Sequence, residues 1–417
     1  MKVLWITNIL FPEAQEQLIN GSGELKASGG WMLGAANAIL KRGDIKLYVA
    51  TVSSLVSQFT RIEGKKITYY VLPFGKGNQD FNMDYCPYWE QIQKDITPDV
   101  VHIHGTEYSQ GYAYMKACGS DNVVISIQGL LSACANFYLN GISKKDVFRN
   151  LTFRDIIKGS VIHCQKQYKK RSLYEIEMIK MAKHIIGRTS WDKSHVWAIN
   201  PHAEYHFCNE ILRDDFYSGE QWDYGKCRKY SIFLSQAGYP IKGFHQLLKA
   251  MPLILRHYPD TIIRVAGCDI TQSSTISDIL RFSGYGRYIK RLIKSNNLER
   301  RISFIGTLNA EQMKQEYLSA NVFVCPSTVD NSPNSIGEAQ ILGTPCVASY
   351  VGGIPDMMKG NEMNLYRFEE IEMLAEIICR VFEHSDCQQD MRNIAMSRHN
   401  PDVNGDRLVY IYNQIKN

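Results

Sequence analysis

Short, nearly continuous apolar runs alternating with helix-patterned segments are the feature that most constrains this chain. Residues 2–7, 46–52, 67–72, 99–105 (DVVHIHG), 123–127 and 184–187 read as buried strands. Between them, residues 30–41 have helical apolar spacing closed by Gly43, and residues 165–183 read as a long helix. The alternation restarts in the second half, with strands at 231–234, 261–266, 301–305, 322–325 and 345–348 and a helix at 243–256. Strands without polar alternation, separated by helices, predict parallel sheets covered on both faces. The polar stretch 200–229, with Pro201, Gly219 and Gly225, contains the boundary. The reading is α/β: two doubly wound, Rossmann-like domains, 1–205 and 206–401, facing each other across a cleft. Open sheets of this kind bind ligands beyond the carboxyl ends of their strands, so the loops after strands are the informative ones.

At 417 residues, about 150 per domain predicts two or three domains, each with a full core. With 45% hydrophobic and 21% charged residues, 30 Gly and 13 Pro, disorder, collagen-like repeats and coiled coil are excluded. No apolar run is long enough to span a bilayer, and MKVLWITNIL, followed by Pro12 and Glu13, suits a buried strand better than a signal peptide. The 11 cysteines stand singly without a CxxC pair, which fits reduced thiols in a cytoplasmic protein.

The net charge of +5 is concentrated. Residues 144–171 hold nine bases, Arg154 among them, against Asp146 and Asp155 only, a local +7 that leaves the remainder at −2. Phe148, Leu151, Phe153, Ile156 and Ile157 interleave with those bases. Such a tract either places apolar side chains in a headgroup layer while its bases meet anionic lipid, or is an ordinary solvated helix face. Nucleic acid is not an expected partner, because one short tract lacks the accompanying fold signals.

Four loops stand out. GSGELKASGG carries Gly21, Gly23, Gly29 and Gly30, which lets backbone approach a ligand or simply makes a flexible loop; with Lys26 at the third glycine position it is no dinucleotide turn. His102 and His104 share a strand face ahead of Glu107, but no further ligand completes a metal set, and a polar contact at the strand tip is expected instead. Lys242 opens the helix from Gly243, unfavourable for a cation unless an anion shares the site; otherwise it is solvated at a cost of a few tenths of a kcal/mol. In CPSTVDNSPNSIGEAQILGTPCVASYVGGIP, Asp330 sits in the loop and Glu338 in the first turn of a helix beginning near Ile336. Two acids there can hold sugar hydroxyls while helix amides hold phosphate; alternatively Ser335-Ile-Gly-Glu338 is a capping box.

The last segment resembles the retaining family 4 glycosyltransferases of GT-B fold, whose signature Glu-x7-Glu stands here as Asp330-x7-Glu338. MKVLWITN with SGGW, DVVHIHG, HIIGRTSWD, CNEILRDDFY and YPIKGFHQLLKAMP also look like segments of that family, in its order. The resemblance implies that Glu338 holds the donor ribose, Asp330 the transferred hexose and Lys242 the diphosphate. Backbone of Asn334, Ser335 and Ile336 would support donor oxygens, and Gly29 and Gly30 would approach from the first domain, onto which the helix at about 402–416 would cross back. Asp330 replaces the usual glutamate, Gln236 and Ala237 stand where a base is usual, with Arg188 a compensating candidate, and Gln128 stands where a histidine is common. Polysaccharide-assembly enzymes look similar in these respects.

The function expected is retaining transfer of a hexose or N-acetylhexosamine from a nucleotide sugar to a lipid-linked saccharide in bacterial surface polysaccharide (capsule or exopolysaccharide) biosynthesis. No metal or cofactor is expected. His104, Glu107, Gln128 and Arg154 are the acceptor-side candidates, and the basic tract would hold the enzyme peripherally on the cytoplasmic face of the inner membrane. Two competing readings are a sugar-nucleotide 2-epimerase and a non-catalytic nucleotide-sugar-binding subunit.

Overall fold

The computed structural model describes residues 1–19, 30–74, 83–383 and 389–416. These fall into two compact units. The first comprises Met1–Ser132, Lys169–Arg213 and His399–Asn417; the second comprises Ala133–Tyr168 and Asp214–Arg398.

Among the described residues the first unit is built on eight strands: β1 (Lys2–Thr7), β2 (Lys46–Ser53), β3 (Thr60–Glu63), β4 (Ile67–Pro73), β5 (Val100–His104), β6 (Val123–Ser126), β7 (His184–Gly187) and β8 (Glu204–Phe207). Their order is β3-β4-β2-β1-β5-β6-β7-β8, parallel throughout except for the antiparallel β3–β4 pair. All five residues of β5 are buried, His102 and His104 included. The helix Pro401–Lys416 packs Leu408, Ile411, Tyr412 and Ile415 into the core beside Trp5, Val49 and Ile186. Its Tyr412 hydroxyl accepts from Trp5 Nε1 at 2.9 Å and lies 2.6 Å from His102 Nδ1, tying the last helix to β1 and β5.

The second unit has six parallel strands: β9 (Arg228–Leu234), β10 (Ile262–Val265), β11 (Ile302–Phe304), β12 (Ala320–Cys325), β13 (Cys346–Ser349) and β14 (Leu365–Tyr366), in the order β11-β10-β9-β12-β13-β14. Ile232, Val265, Val324 and Val347 from the sheet meet Phe244, Leu247 and Met251 of helix Phe244–His257, Ile289 of helix Gly284–Ser295 and Ile378 of helix Ile371–Glu383. Each such side chain contributes about 1.5–3 kcal/mol by leaving water.

The composition of the units differs from a single cut at residue 205. Segment 133–168, read from the sequence as part of the first domain, belongs to the second unit. Ile142 and Val161 pack on its core, His245 Nε2 lies 2.9 Å from the Asn140 carbonyl, Arg287 donates to the Leu151 carbonyl at 2.7 Å, and Arg291 pairs with Asp146. Residues 206–213, read as the start of the second domain, belong to the first unit and include the end of β8.

Candidate functional site

In the second unit the loop after β9 and the loop after β12 close on one another. A 3-10 turn, Pro240–Lys242, ends at Gly243, whose φ of 67° lies in the left-handed region. A Cβ at Gly243 would stand 1.6 Å from the Pro326 carbonyl oxygen, so only glycine permits this approach. The Thr328 amide donates to the Ile241 carbonyl at 2.7 Å, fastening the two loops. From the other side, Gly352 (φ 56°) would place a Cβ 1.9 Å from the Asp330 carbonyl oxygen, which accepts from the Gly353 amide at 3.0 Å. Two glycines in left-handed backbone thus fix the 326–330 loop.

This brings Lys242 and Asp330 together: Lys242 Nζ donates to Asp330 Oδ2 at 2.8 Å, and the Ser327 hydroxyl donates to the same oxygen at 3.2 Å. Burial acts to lower the Lys242 ammonium, but the Asp330 carboxylate and then Tyr239 outweigh it and hold the group above the ordinary lysine value. Burial, then the neighbouring Asp330, pushes the Cys325 thiol up to about 11, which favours its protonated form at neutral pH. Beside this pair lies a cavity of about 230 Å³ lined by Ser235, Gln236, Lys242, Ser327, Asn334 and Ser335 among others.

The cavity meets the start of helix Asn334–Leu342, which begins two residues earlier than expected. Its N-cap is Pro333 and no side chain caps it, so Ser335 lies inside the first turn and the Ser335–Glu338 capping box does not form. The first amides of a helix have no carbonyl partner within it and attract anions. Ile336 is fully buried. Glu338, one turn on, is buried too, and its Oε2 accepts from the Tyr317 hydroxyl at 3.4 Å. Ser327 and Tyr317 were not singled out from the sequence; Ser327 sits in the CPSTVD run already marked as a loop, whereas Tyr317 is reached only through packing.

Of the remaining donor-side candidates, two lie in the first unit. Gly29 lies outside the described residues. Gly30 begins helix Gly30–Leu40 in the first unit, its Cα against the side chain of Arg213, where a Cβ would stand 2.7 Å from Cγ. Arg188, after β7, is buried in the first unit: it pairs with Glu210 at 2.5 Å and donates to the Ile127 carbonyl at 2.8 Å. Gln236 lines the second-unit cavity.

Three acceptor-side candidates converge in the first unit, at the ends of β5 and β6. His104 stacks on His102 with ring centroids 3.8 Å apart and against Trp5 at 4.4 Å, and both its ring nitrogens are buried without a hydrogen-bond partner. His102 is satisfied by Tyr412 and by Ser126 at 2.6 Å. Burial holds both imidazoles below the ordinary histidine range, His102 at about 3. Glu107 Oε1 accepts from the Gly129 amide at 3.0 Å, while its Oε2 is buried without a partner. Gly105 (φ 87°) lets Glu107 and Gln128 crowd its Cα. Burial, then the neighbouring Glu175, raises the Glu107 carboxyl to about 7 against its hydrogen bonds and Arg171. Glu175, missed in the sequence because it looks like any surface acid of a long helix, is fully buried; it accepts from Thr106, from the Leu131 amide and from the amide and hydroxyl of Ser132, holding both loops.

Arg154 is the fourth acceptor-side candidate. It lies in the second unit on helix Phe153–Lys158, 3.5 Å from Asp155.

Comparison with known proteins fits this geometry. Residues 221–398, which contain the cavity, Lys242, Asp330 and Glu338, match the family described as glycosyl transferases group 1. An uncharacterised glycosyltransferase of Methanocaldococcus jannaschii is 30% identical over 136 residues, 33% of this chain and 30% of that protein. The chain matches less than a third of the length of this and the next such relative. The fold is shared along its whole length with sucrose-phosphate synthase from Thermosynechococcus elongatus (TM-score 0.71, 15% identity, 99% and 98% of the two chains). It is shared likewise with Anabaena HepE, solved in complex with UDP-glucose (TM-score 0.64, 14% identity, 99% and 100%). The architecture is thus the GT-B fold: α/β, with two Rossmann-like parallel-sheet units.

Proposed function

We propose that the protein is a glycosyltransferase that takes a glycosyl group from a nucleotide sugar. The observation that carries this is the joining of Lys242, Asp330 and the start of helix Asn334–Leu342 around one cavity within the stretch matching the glycosyl transferase family. At about 230 Å³ the cavity is smaller than the roughly 300–1,000 Å³ of a whole small-molecule site and suits one part of such a donor, its diphosphate. The ammonium of Lys242 and the first amides of the helix supply the positive field. Asp330 would take a hydroxyl of the hexose, and Glu338, one turn into the helix, the ribose. The structure of HepE in complex with UDP-glucose supports a nucleotide-sugar ligand for a fold of this kind.

The reaction we propose retains configuration. The bond from the anomeric carbon to the diphosphate oxygen breaks, the acceptor hydroxyl oxygen bonds to that carbon on the same face, and its proton passes to the departing diphosphate. Negative charge grows on the leaving group as the bond breaks, so Lys242 and the helix amides bind the transition state more tightly than the ground state. This sequence of bonds needs no metal, and the family match speaks for transfer rather than epimerisation.

The acceptor we propose is a lipid-linked saccharide of surface polysaccharide assembly, with the protein on the cytoplasmic face of the membrane. Two features support this. In the first unit, His104, Glu107 and Gln128 present buried polar atoms at the strand ends where ligands of such sheets bind. In the second unit, helix Phe153–Lys158 leaves Ile156 79% exposed and Phe153 and Ile157 exposed beside Arg154 and Lys158. It packs against helix Ile276–Arg281, which buries none of its residues and leaves Ile276 80% exposed. Apolar side chains ringed by bases suit an anionic lipid surface. Among the described residues no helix is long and apolar enough to cross a membrane. Product analysis tests the function: donor with a lipid extract of polysaccharide-producing cells should yield a glycosylated lipid and free nucleoside diphosphate. Release of an isomerised donor, or no turnover with any donor, would replace this reading by epimerisation or by binding alone.

A further inference from the structure

Away from both sites, the first unit gathers three metal-capable side chains on one pair of strands. In the parallel pair β7–β8, His184 stands opposite Glu204 and Ile186 opposite His206. Residues two apart on a strand share a face, so His184, Glu204 and His206 all project to the same side of the sheet. His184 Nδ1 lies 3.1 Å from His206 Nε2 and 3.5 Å from Glu204 Oε2, and His206 Nε2 lies 3.9 Å from Glu204 Oε1. A tetrahedral ion with bonds of about 2.0–2.1 Å holds its ligand atoms about 3.3–3.4 Å apart. The three side chains already stand near that spacing.

We propose that His184, Glu204 and His206 form a binding site for a divalent transition-metal ion of zinc's class, completed by solvent. Two imidazoles and one carboxylate suit zinc, cobalt or nickel better than calcium or magnesium, which prefer all-oxygen shells. Without an ion, the two facing ring nitrogens share a single hydrogen bond; with one, both present lone pairs. Glu204 is exposed, which leaves a path for the ion and for water. Of the nearby cations, Lys183 is engaged by Asp121 at 2.8 Å and Arg407 by the Phe207 carbonyl at 3.2 Å.

The position argues for a structural ion. His184 is the first residue of β7, at the opposite end of the sheet from the loops that follow β5 and β6. β8 is the last strand of the sheet, paired on one side only, so an ion here would fasten an otherwise half-held edge. The full chain, stripped with chelator, should be titrated with zinc by calorimetry and with cobalt by visible absorption, in wild type, Glu204→Gln and His206→Gln. The expected result is one site with a nitrogen–oxygen ligand field, weakened at least about tenfold in both variants, and a zinc-dependent rise in Tm that is larger in wild type than in either variant at the same zinc concentration. Because Glu204 is exposed, its variant keeps the test valid should His206→Gln fail to fold. Equal affinity and equal zinc-dependent Tm in wild type and Glu204→Gln would overturn the proposal and assign any bound ion to other ligands.

Discussion

Lys242 Nζ and Asp330 Oδ2 stand 2.8 Å apart although 88 residues separate them in sequence, and each is delivered by a loop that a positive-φ glycine holds in place. The pair is neutral as a whole until an anion enters, at which point the ammonium is shared between carboxylate and diphosphate. Replacing Lys242 with Ala removes the charge that answers the leaving group. Turnover should fall by about 10²–10³, equivalent to about 2.7–4 kcal/mol, with a smaller change in donor KM. Steady-state kinetics of nucleoside diphosphate release checks this, and an unchanged kcat would remove Lys242 from the reaction.

Gly352→Ala should damage the same site without touching a charge. The new Cβ meets the Asp330 carbonyl oxygen at 1.9 Å and sits at a φ of 56°, so the 326–330 loop must move. A stability loss of about 1–3 kcal/mol and a loss of activity larger than the unfolded fraction explains are expected. Urea unfolding paired with kinetics would show it; wild-type values for both would mean the loop is not held by this contact.

The Glu107 carboxyl gives the first unit a pH signature. Its folded value, raised to about 7, lies above the roughly 4.3 of an unfolded glutamate, so the folded state binds the proton more tightly. The associated stability is fully present below about pH 4.3 and is lost as pH rises through about 7. Glu107→Gln should therefore flatten the stability profile between these limits and gain on wild type above pH 7, by on the order of 1–3 kcal/mol. Parallel unfolding profiles of the two proteins would contradict the assignment.

The exposed helix pair predicts salt-sensitive membrane binding. Wild type should float with vesicles containing anionic lipid, and Ile156→Glu, at a side chain already 79% exposed, should float less while keeping its Tm within about 1 °C. Binding that ignores both salt and this substitution would remove the face from the account.

Much of the architecture was legible because buried parallel strands need continuous apolar runs; VVHIH and ANVFVC are buried throughout. What was not legible depends on partners remote in sequence. Segment 133–168 belongs to the second unit through Asp146 with Arg291, a pair 145 residues apart, and no local pattern announces that. β8 was missed because EYHF leaves Glu204 and Phe207 exposed and reads as part of a polar linker. Ser335-x-x-Glu338 has the local form of a cap, yet Pro333 with its fixed φ starts the helix earlier and moves serine inside. The pairing of Arg188 with Glu210, 22 residues on in sequence, is likewise visible only in the fold.

The most direct test of the central claim is saturation-transfer NMR with UDP-, GDP- and ADP-sugars on wild type and Glu338→Gln. The account predicts transfer to the ribose and hexose protons of one donor in wild type, with the ribose signal lost in the variant while its fold, read by circular dichroism, is retained. Equal ribose signals in both proteins, or no transfer from wild type to any donor, would contradict the placement of a nucleotide sugar on the helix Asn334–Leu342.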